Sequence, residues 1–185
     1  MKNTVDIDFD GINIYALFTV KASKVGTIIL SIMILAVVTV IAIGISMIEK
    51  SEIATFIFPL IIITFIAVIL PLRYLLWNIY GKENLIINTK TISFNYDYGI
   101  IRTNLKIIHH ENLATKFIPF RTENSKEIGY LAFYNYREQD NLPELIHQTT
   151  IAIESERIEE IVSLMKALFN TELVESIDYS DYTVN

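Results

Sequence analysis

Two long apolar runs separated by four residues constrain this chain more than any other feature. The first, VGTIILSIMILAVVTVIAIGISMI at residues 25–48, has no charged side chain, and the second covers residues 53–77 with Arg73 as its one charge. As a helix the first run is about 36 Å long, which is enough to cross a hydrocarbon core of about 30 Å. Both runs are apolar on all sides, as lipid-facing helices are. We therefore predict two transmembrane helices, the alternative being a buried helix pair of a soluble protein.

The charges around the two runs predict their orientation. The connecting residues 49–52, EKSE, have a net charge of −1 and allow only a tight turn, so that the helices are antiparallel neighbours. Lys21 and Lys24 flank the entry to this hairpin, and Arg73 and Lys82 flank its exit. The positive-inside rule then predicts two cytoplasmic termini and an external turn.

A cleaved signal peptide is the other reading of the first run. It is disfavoured because the run begins after about 24 residues, exceeds the length of a signal peptide's apolar region and is followed by no A-x-A-like cleavage site.

The exit from the second run, PLRYLLWNIYGKE at residues 71–83, has the composition of a membrane interface. Tyr74, Trp77 and Tyr80 lie three residues apart, on one rough helical face, as the aromatic residues of a membrane belt do. Arg73 can extend its charge to the headgroups, and Gly81 allows the helix to end. The predicted membrane-interface anchors are Lys21, Lys24, Arg73, Tyr74, Trp77, Tyr80 and Lys82.

The N-terminal segment, residues 1–24, alternates between apolar and acidic side chains. Val5, Ile7 and Phe9 alternate with Asp6, Asp8 and Asp10, and Gly11 interrupts the run. This pattern predicts two short strands joined by a turn. The three aspartates also suggest a calcium loop, but an EF-hand loop requires a glutamate at its twelfth position, and that position holds Leu17. The acidic face of a solvated edge strand is the favoured interpretation.

The remaining residues predict a soluble domain at 83–170. Its apolar residues recur with a period of two, with a hairpin turn at 88–90, a polar loop at 121–127 and a final strand at 145–154. Residues 155–170, SERIEEIVSLMKALFN, instead follow the helical period and predict an amphipathic helix that covers the sheet. Residues 171–185 carry four acids and no base, and are predicted to be a disordered tail. A phosphorylation or docking motif around Tyr179 and Tyr182 is the alternative.

The order of these elements, together with W-x-x-Y-G-K-E-x-L-x-I at residues 77–87, resembles bacterial membrane proteins with a PH-like domain. The resemblance covers about residues 25–169. It implies an inner-membrane protein whose domain is an antiparallel sandwich or barrel of about seven short strands capped by the C-terminal helix. PH domains that bind phosphoinositides carry a basic cluster in the first hairpin loop. The matching turn, residues 88–90, has Lys90 alone, so no headgroup site of that kind is expected.

Composition and motifs argue against several kinds of chemistry. The chain has no cysteine and a net charge of −6, which excludes thiol catalysis and is a poor electrostatic match for nucleic acid. No catalytic or phosphate-binding motif occurs. His109 and His110 are neighbours on a predicted strand and point to opposite faces, so a metal site with Glu111 is disfavoured. The position of His147 relative to them is left open. No enzymatic activity, cofactor or metal is expected.

Two functions remain. The first is a non-enzymatic membrane protein that presents its domain to a protein partner or to a second copy of itself. The second is a small oligomeric transport or channel component built from the helical hairpin. No Asp, Glu, Lys, Arg or His lies in the middle of either run, and because ion pathways usually place such a residue there, the first function is favoured.

Overall fold

The computed structural model describes residues 3–48, 53–137 and 142–169, and it contains a pair of long helices and a β domain. Helix α1 is Lys24–Met47. The second long helix consists of α2 (Ile53–Thr64), a π-helical turn (Phe65–Ile69) and α3 (Leu70–Tyr80). The predicted turn at 49–52 and the predicted tail at 171–185 lie outside the described residues.

Both helices are long and apolar enough to cross a membrane. The segments with sufficient length and hydropathy are Lys24–Met47 and Ile57–Tyr80, each of 24 residues. α1 contains no buried residue, so it is not the core helix of a soluble domain. These observations agree with the two predicted spans, although the second helix continues to Tyr80 and not only to residue 77.

The π-helical turn lies directly before Pro71, the second residue of α3. A proline has no N–H to donate, and its ring collides with the carbonyl four residues earlier in a regular α-helix. A wider turn at this point relieves that collision. The winding of the helix thus changes locally before Pro71, while the helix continues past it to Tyr80.

The first sheet has five antiparallel strands in sequence order. They are β1 (Thr4–Phe9), β2 (Ile14–Thr19), β3 (Lys82–Ile87), β4 (Thr91–Asp97) and β5 (Lys106–His109). The two strands predicted in the N-terminal segment are therefore present. They were predicted to be separate from the domain at 83–170, but they belong to the same sheet as β3, β4 and β5. β2 pairs with β3 along its length, from Thr19 opposite Lys82 to Ile14 opposite Ile87, and the two long helices are an insertion between these neighbouring strands.

The second sheet has four strands around β7. They are β6 (Asn112–Glu123), β7 (Lys126–Tyr136), β8 (Pro143–Gln148) and β9 (Ile153–Glu154). The predicted loop at 121–127 is wrong, because β6 and β7 continue to a two-residue turn in which Asn124 and Ser125 both have positive φ. Two-residue hairpin turns favour such angles. The predicted last strand is divided into β8 and β9 by residues 149–152.

Helix α4 (Ser155–Phe169) packs against both sheets and completes the core. Its buried residues are Ile158, Ile161 and Met165, which confirms the predicted apolar stripe. They join one core with residues of both sheets, among them Phe18, Leu85 and Phe133. The general prediction of a helix pair followed by an antiparallel β domain with a C-terminal helix is confirmed. Seven described strands follow the helices, and two precede them.

Candidate functional site at the joint between helix and domain

The end of α3 is tied directly into the first sheet. The N–H of Gly81 donates to the Trp77 carbonyl at 2.8 Å, and the N–H of Val20 donates to the Gly81 carbonyl at 2.9 Å. Gly81 has an ordinary φ of −52°, so a left-handed conformation does not explain the glycine. A Cβ at this position would collide with the carbonyl oxygen of Trp77, so the close contact itself requires glycine. The result is a short connection without a linker.

The side chain of Trp77 joins α3 to β4. Its ring lies 5.9 Å from that of Tyr96 in an edge-on arrangement and 5.1 Å from that of Tyr98. One turn earlier, Nη2 of Arg73 donates to the hydroxyl of Tyr98 at 3.1 Å, and the guanidinium lies 5.2 Å from the centre of that ring. Burial, together with the charge of Glu83, raises the pKa of Tyr96 to about 12, so this phenol is neutral at physiological pH.

Between these side chains lies a cleft of about 400 Å³. It is apolar along most of its wall, and the side chains that line it include a guanidinium, three phenols, an indole and one threonine. A mostly apolar wall with a few polar groups is typical of ligand-binding clefts. The lining residues are Leu70, Arg73, Tyr74, Trp77, Tyr96, Tyr98 and Thr150.

Thr150 connects the cleft to a buried polar network. The carboxylate of Glu83 is fully buried and accepts hydrogen bonds from the N–H and the hydroxyl of Thr150, both at 2.7 Å. Its other oxygen lies 2.9 Å from Nε2 of His147, whose ring stacks on Phe94 with centroids 3.9 Å apart. Two donors of Thr150 and the imidazole of His147 thus give both oxygens of this carboxyl group a polar partner, which makes its burial tolerable.

Sequence reasoning missed Glu83 as a buried residue, although the signal was present. Glu83, Leu85 and Ile87 share one face of β3, and all three are buried. A period of two places the glutamate on the same side as its apolar neighbours. A charged residue in that register calls for a buried partner, and His147, whose position the sequence left open, is that partner.

The predicted interface anchors divide into two groups. The three lysines are exposed, and Tyr74 is 61% exposed at the cleft. Arg73, Trp77 and Tyr80, by contrast, contact the domain. Trp77 reaches Tyr96 of β4, Arg73 reaches Tyr98 one residue past the end of β4, and Tyr80 lies against Gly99. A role for all seven at a membrane surface stays a prediction. The structure adds that Arg73, Trp77 and Tyr80 also form the joint. The three exposed lysines are Lys21, Lys24 and Lys82.

The histidines do not converge on a metal site. His109 is exposed, whereas His110 is buried with Nε2 3.2 Å from the Asn88 carbonyl, and burial lowers its pKa. No group of three or more potential ligands was found among the described residues. Asp10, from the suggested calcium loop, accepts hydrogen bonds from the amides of Ile12 and Asn13 and so stabilises its own turn.

Comparison with known proteins adds no family to this description. No protein-family model matches the chain, and neither does any curated protein or solved structure. The geometry of the joint is therefore the basis for inferring a function.

Proposed function

We propose that this chain is a non-enzymatic integral protein of a bacterial inner membrane, which holds a PH-like binding module against the cytoplasmic surface for a protein partner or a second copy of itself. The insertion of the long helices between β2 and β3 is the observation that carries the proposal. Because these strands are paired and the joint has no linker, the domain is held at a fixed position beside the helices.

The distribution of charge supports a cytoplasmic domain. Lys21, Lys24, Arg73 and Lys82 all lie where the helices meet the β domain. The positive-inside rule places such residues on the cytoplasmic side. Seven described strands and a C-terminal helix follow the long helices, as expected of a PH-like module, and β1 and β2 are additional to it.

The outer edge of the first sheet offers a surface for a partner. β5 is the last strand of that sheet, and Leu105 and Ile107 beside this edge are 47% and 56% exposed. An exposed strand edge can pair with an added strand from another chain, and apolar side chains next to it contribute specificity. We therefore assign partner binding to the β5 edge.

Site-specific photo-cross-linking in intact cells tests this assignment. A photoreactive amino acid at Ile107 is expected to yield one discrete adduct, either with another protein or with a second copy of this chain. The same probe at Ile12, which is 71% exposed on the β1–β2 turn, is the matched control. Adducts that form equally at both positions would contradict a specific β5 site.

A second cross-linking experiment asks whether the apolar edge itself is needed. The probe is moved to Lys106, which lies on β5 beside Ile107, and the adduct is compared with and without Ile107→Asp. We expect the substitution to remove the adduct, because a charged side chain would have to be buried against the partner. An adduct of unchanged yield would contradict partner binding through this edge.

Membrane topology has its own test, since the chain contains no cysteine. Single cysteines at Ser51 and Thr89 are labelled in cells with a membrane-impermeant maleimide. We expect labelling at residue 51 in intact cells and labelling at residue 89 only after the membrane is opened. The reverse pattern would contradict a cytoplasmic domain.

A further inference from the structure

We infer that the cleft between α3 and β4 binds the phosphate headgroup of a membrane phospholipid. This inference rests on the proposed membrane insertion and goes beyond it, because it assigns a ligand to the joint itself. The occupant is one lipid of the surrounding bilayer, held where the second helix leaves the hydrocarbon region.

The position of Arg73 gives the expected depth of the cleft. The 20 residues before it, 53–72, carry no charge and span about 30 Å as a helix, which is about the thickness of a hydrocarbon core. A guanidinium directly after such a run lies at the level of the lipid phosphates. Leu70 and Tyr74 also line the cleft, so the cleft extends along the helix across this boundary.

The charge in the cleft suits a phosphate. Arg73 is exposed and is the cation among the lining residues. A guanidinium has five N–H donors, and its hydrogen bond to Tyr98 leaves others for an anion. Glu83 is not among the lining residues and lies behind Thr150, which donates to it twice, whereas the guanidinium of Arg73 is exposed at the cleft.

The loop that follows Tyr98 favours a lipid over a soluble phosphate. Ile100 and Ile101 follow Tyr98 in the β4–β5 loop and are 77% and 65% exposed. Gly99, which precedes the two isoleucines, lies against Tyr80 of α3. The loop therefore lies beside the helix that enters the membrane. Two exposed isoleucines in a loop beside this helix offer an apolar surface that acyl chains can cover.

Trp77 allows binding to be measured directly, because it is the one tryptophan of the chain and lines the cleft. The full-length protein is reconstituted in bilayers that contain phosphatidylglycerol with a spin label on the headgroup, and quenching of its fluorescence is recorded. We expect saturable quenching that unlabelled phosphatidylglycerol reverses and inorganic phosphate does not. Reversal by inorganic phosphate would overturn the assignment to a lipid.

Matched variants test the role of the guanidinium. Arg73→Gln is expected to weaken apparent binding about tenfold, the effect of losing one charge-assisted contact. Lys82→Gln removes an exposed cation of the same joint outside the cleft and is expected to leave binding unchanged. Equal quenching in all three proteins, or an equal loss in both variants, would overturn the inference, since only general attraction to the bilayer would then remain.

Vesicle flotation separates this inference from the proposed function. A protein that fails to float with the vesicles after reconstitution contradicts membrane insertion and, with it, both proposals. A protein that floats but shows the same quenching with and without Arg73 contradicts the lipid site alone.

Discussion

Nε2 of His147 lies 2.9 Å from the carboxylate of Glu83, and both side chains are almost fully buried. Glu83 is two residues past Gly81, the C-cap of α3, whereas His147 belongs to β8 of the second sheet. The pair thus joins β3, the strand that follows the long helix, to the second sheet.

Glu83→Gln tests the contribution of this pair to stability. The amide keeps the shape of the side chain but directs an NH₂ group either towards Thr150, whose N–H and hydroxyl already donate, or towards His147. A buried donor without an acceptor costs about 1–3 kcal/mol, and more where a charged partner is lost, so we expect a loss of about 3 kcal/mol. Thermal unfolding in detergent measures it, with the exposed Glu127→Gln as the control. An equal melting temperature for both variants would contradict a structural role.

Two glycines with the same kind of backbone allow the contact between loop and helix to be isolated. Gly99 has a φ of +85° and Gly11 a φ of +91°, so alanine is strained at both, by about 1 kcal/mol. A Cβ at Gly99 would also lie 2.7 Å from the Cβ of Tyr80, whereas nothing lies within 4 Å of one at Gly11. We expect Gly99→Ala to be clearly more destabilising than Gly11→Ala in chemical denaturation. Equal losses would mean that the β4–β5 loop does not pack on α3.

Sequence periodicity predicted the elements whose burial follows from local pattern. Ile92 and Phe94 lie on the buried face of β4, as alternation requires, and Ile158 and Ile161 lie on the buried face of α4. Such patterns state which face of an element is apolar, because each side chain's direction is set by its own backbone.

Periodicity could not predict which strands pair. The partner of Ile14 is Ile87, and no local pattern connects two residues across a pair of long helices. For the same reason, periodicity could not predict the joint. Trp77 has the spacing of an interface residue, but its contacts with Tyr96 and Tyr98 depend on where β4 lies. The turn at Asn124 was missed for a different reason, since its sequence lacks the glycine that usually marks a two-residue turn.

Acid titration of the β1–β2 turn provides a test by pH. Hydrogen bonds from the amides of Asn13 and Ile12 lower the pKa of Asp10 to about 2, below its usual value near 3.8. A lowered pKa in the folded state means that this carboxylate stabilises the turn above pH of about 4, and that the effect is lost as the pH falls through about 2. NMR shifts of the Ile12 and Asn13 amides should report that midpoint, and Asp10→Ala should abolish it. A midpoint near 4 would contradict these hydrogen bonds.

The pairing of β2 with β3 predicts that the β domain folds without its long helices. Val20 and Gly81 are joined by a 2.9 Å hydrogen bond, so replacing residues 21–80 by Asn-Gly, a favoured two-residue turn, should connect the strands as a hairpin. We expect a soluble chain with cooperative thermal unfolding by circular dichroism. The fragment 83–169 is the control and should stay unfolded, because it lacks Ile14 and Phe18, both fully buried. Since losing one large core side chain costs about 3–5 kcal/mol, cooperative unfolding of that fragment would contradict a core shared with the N-terminal strands.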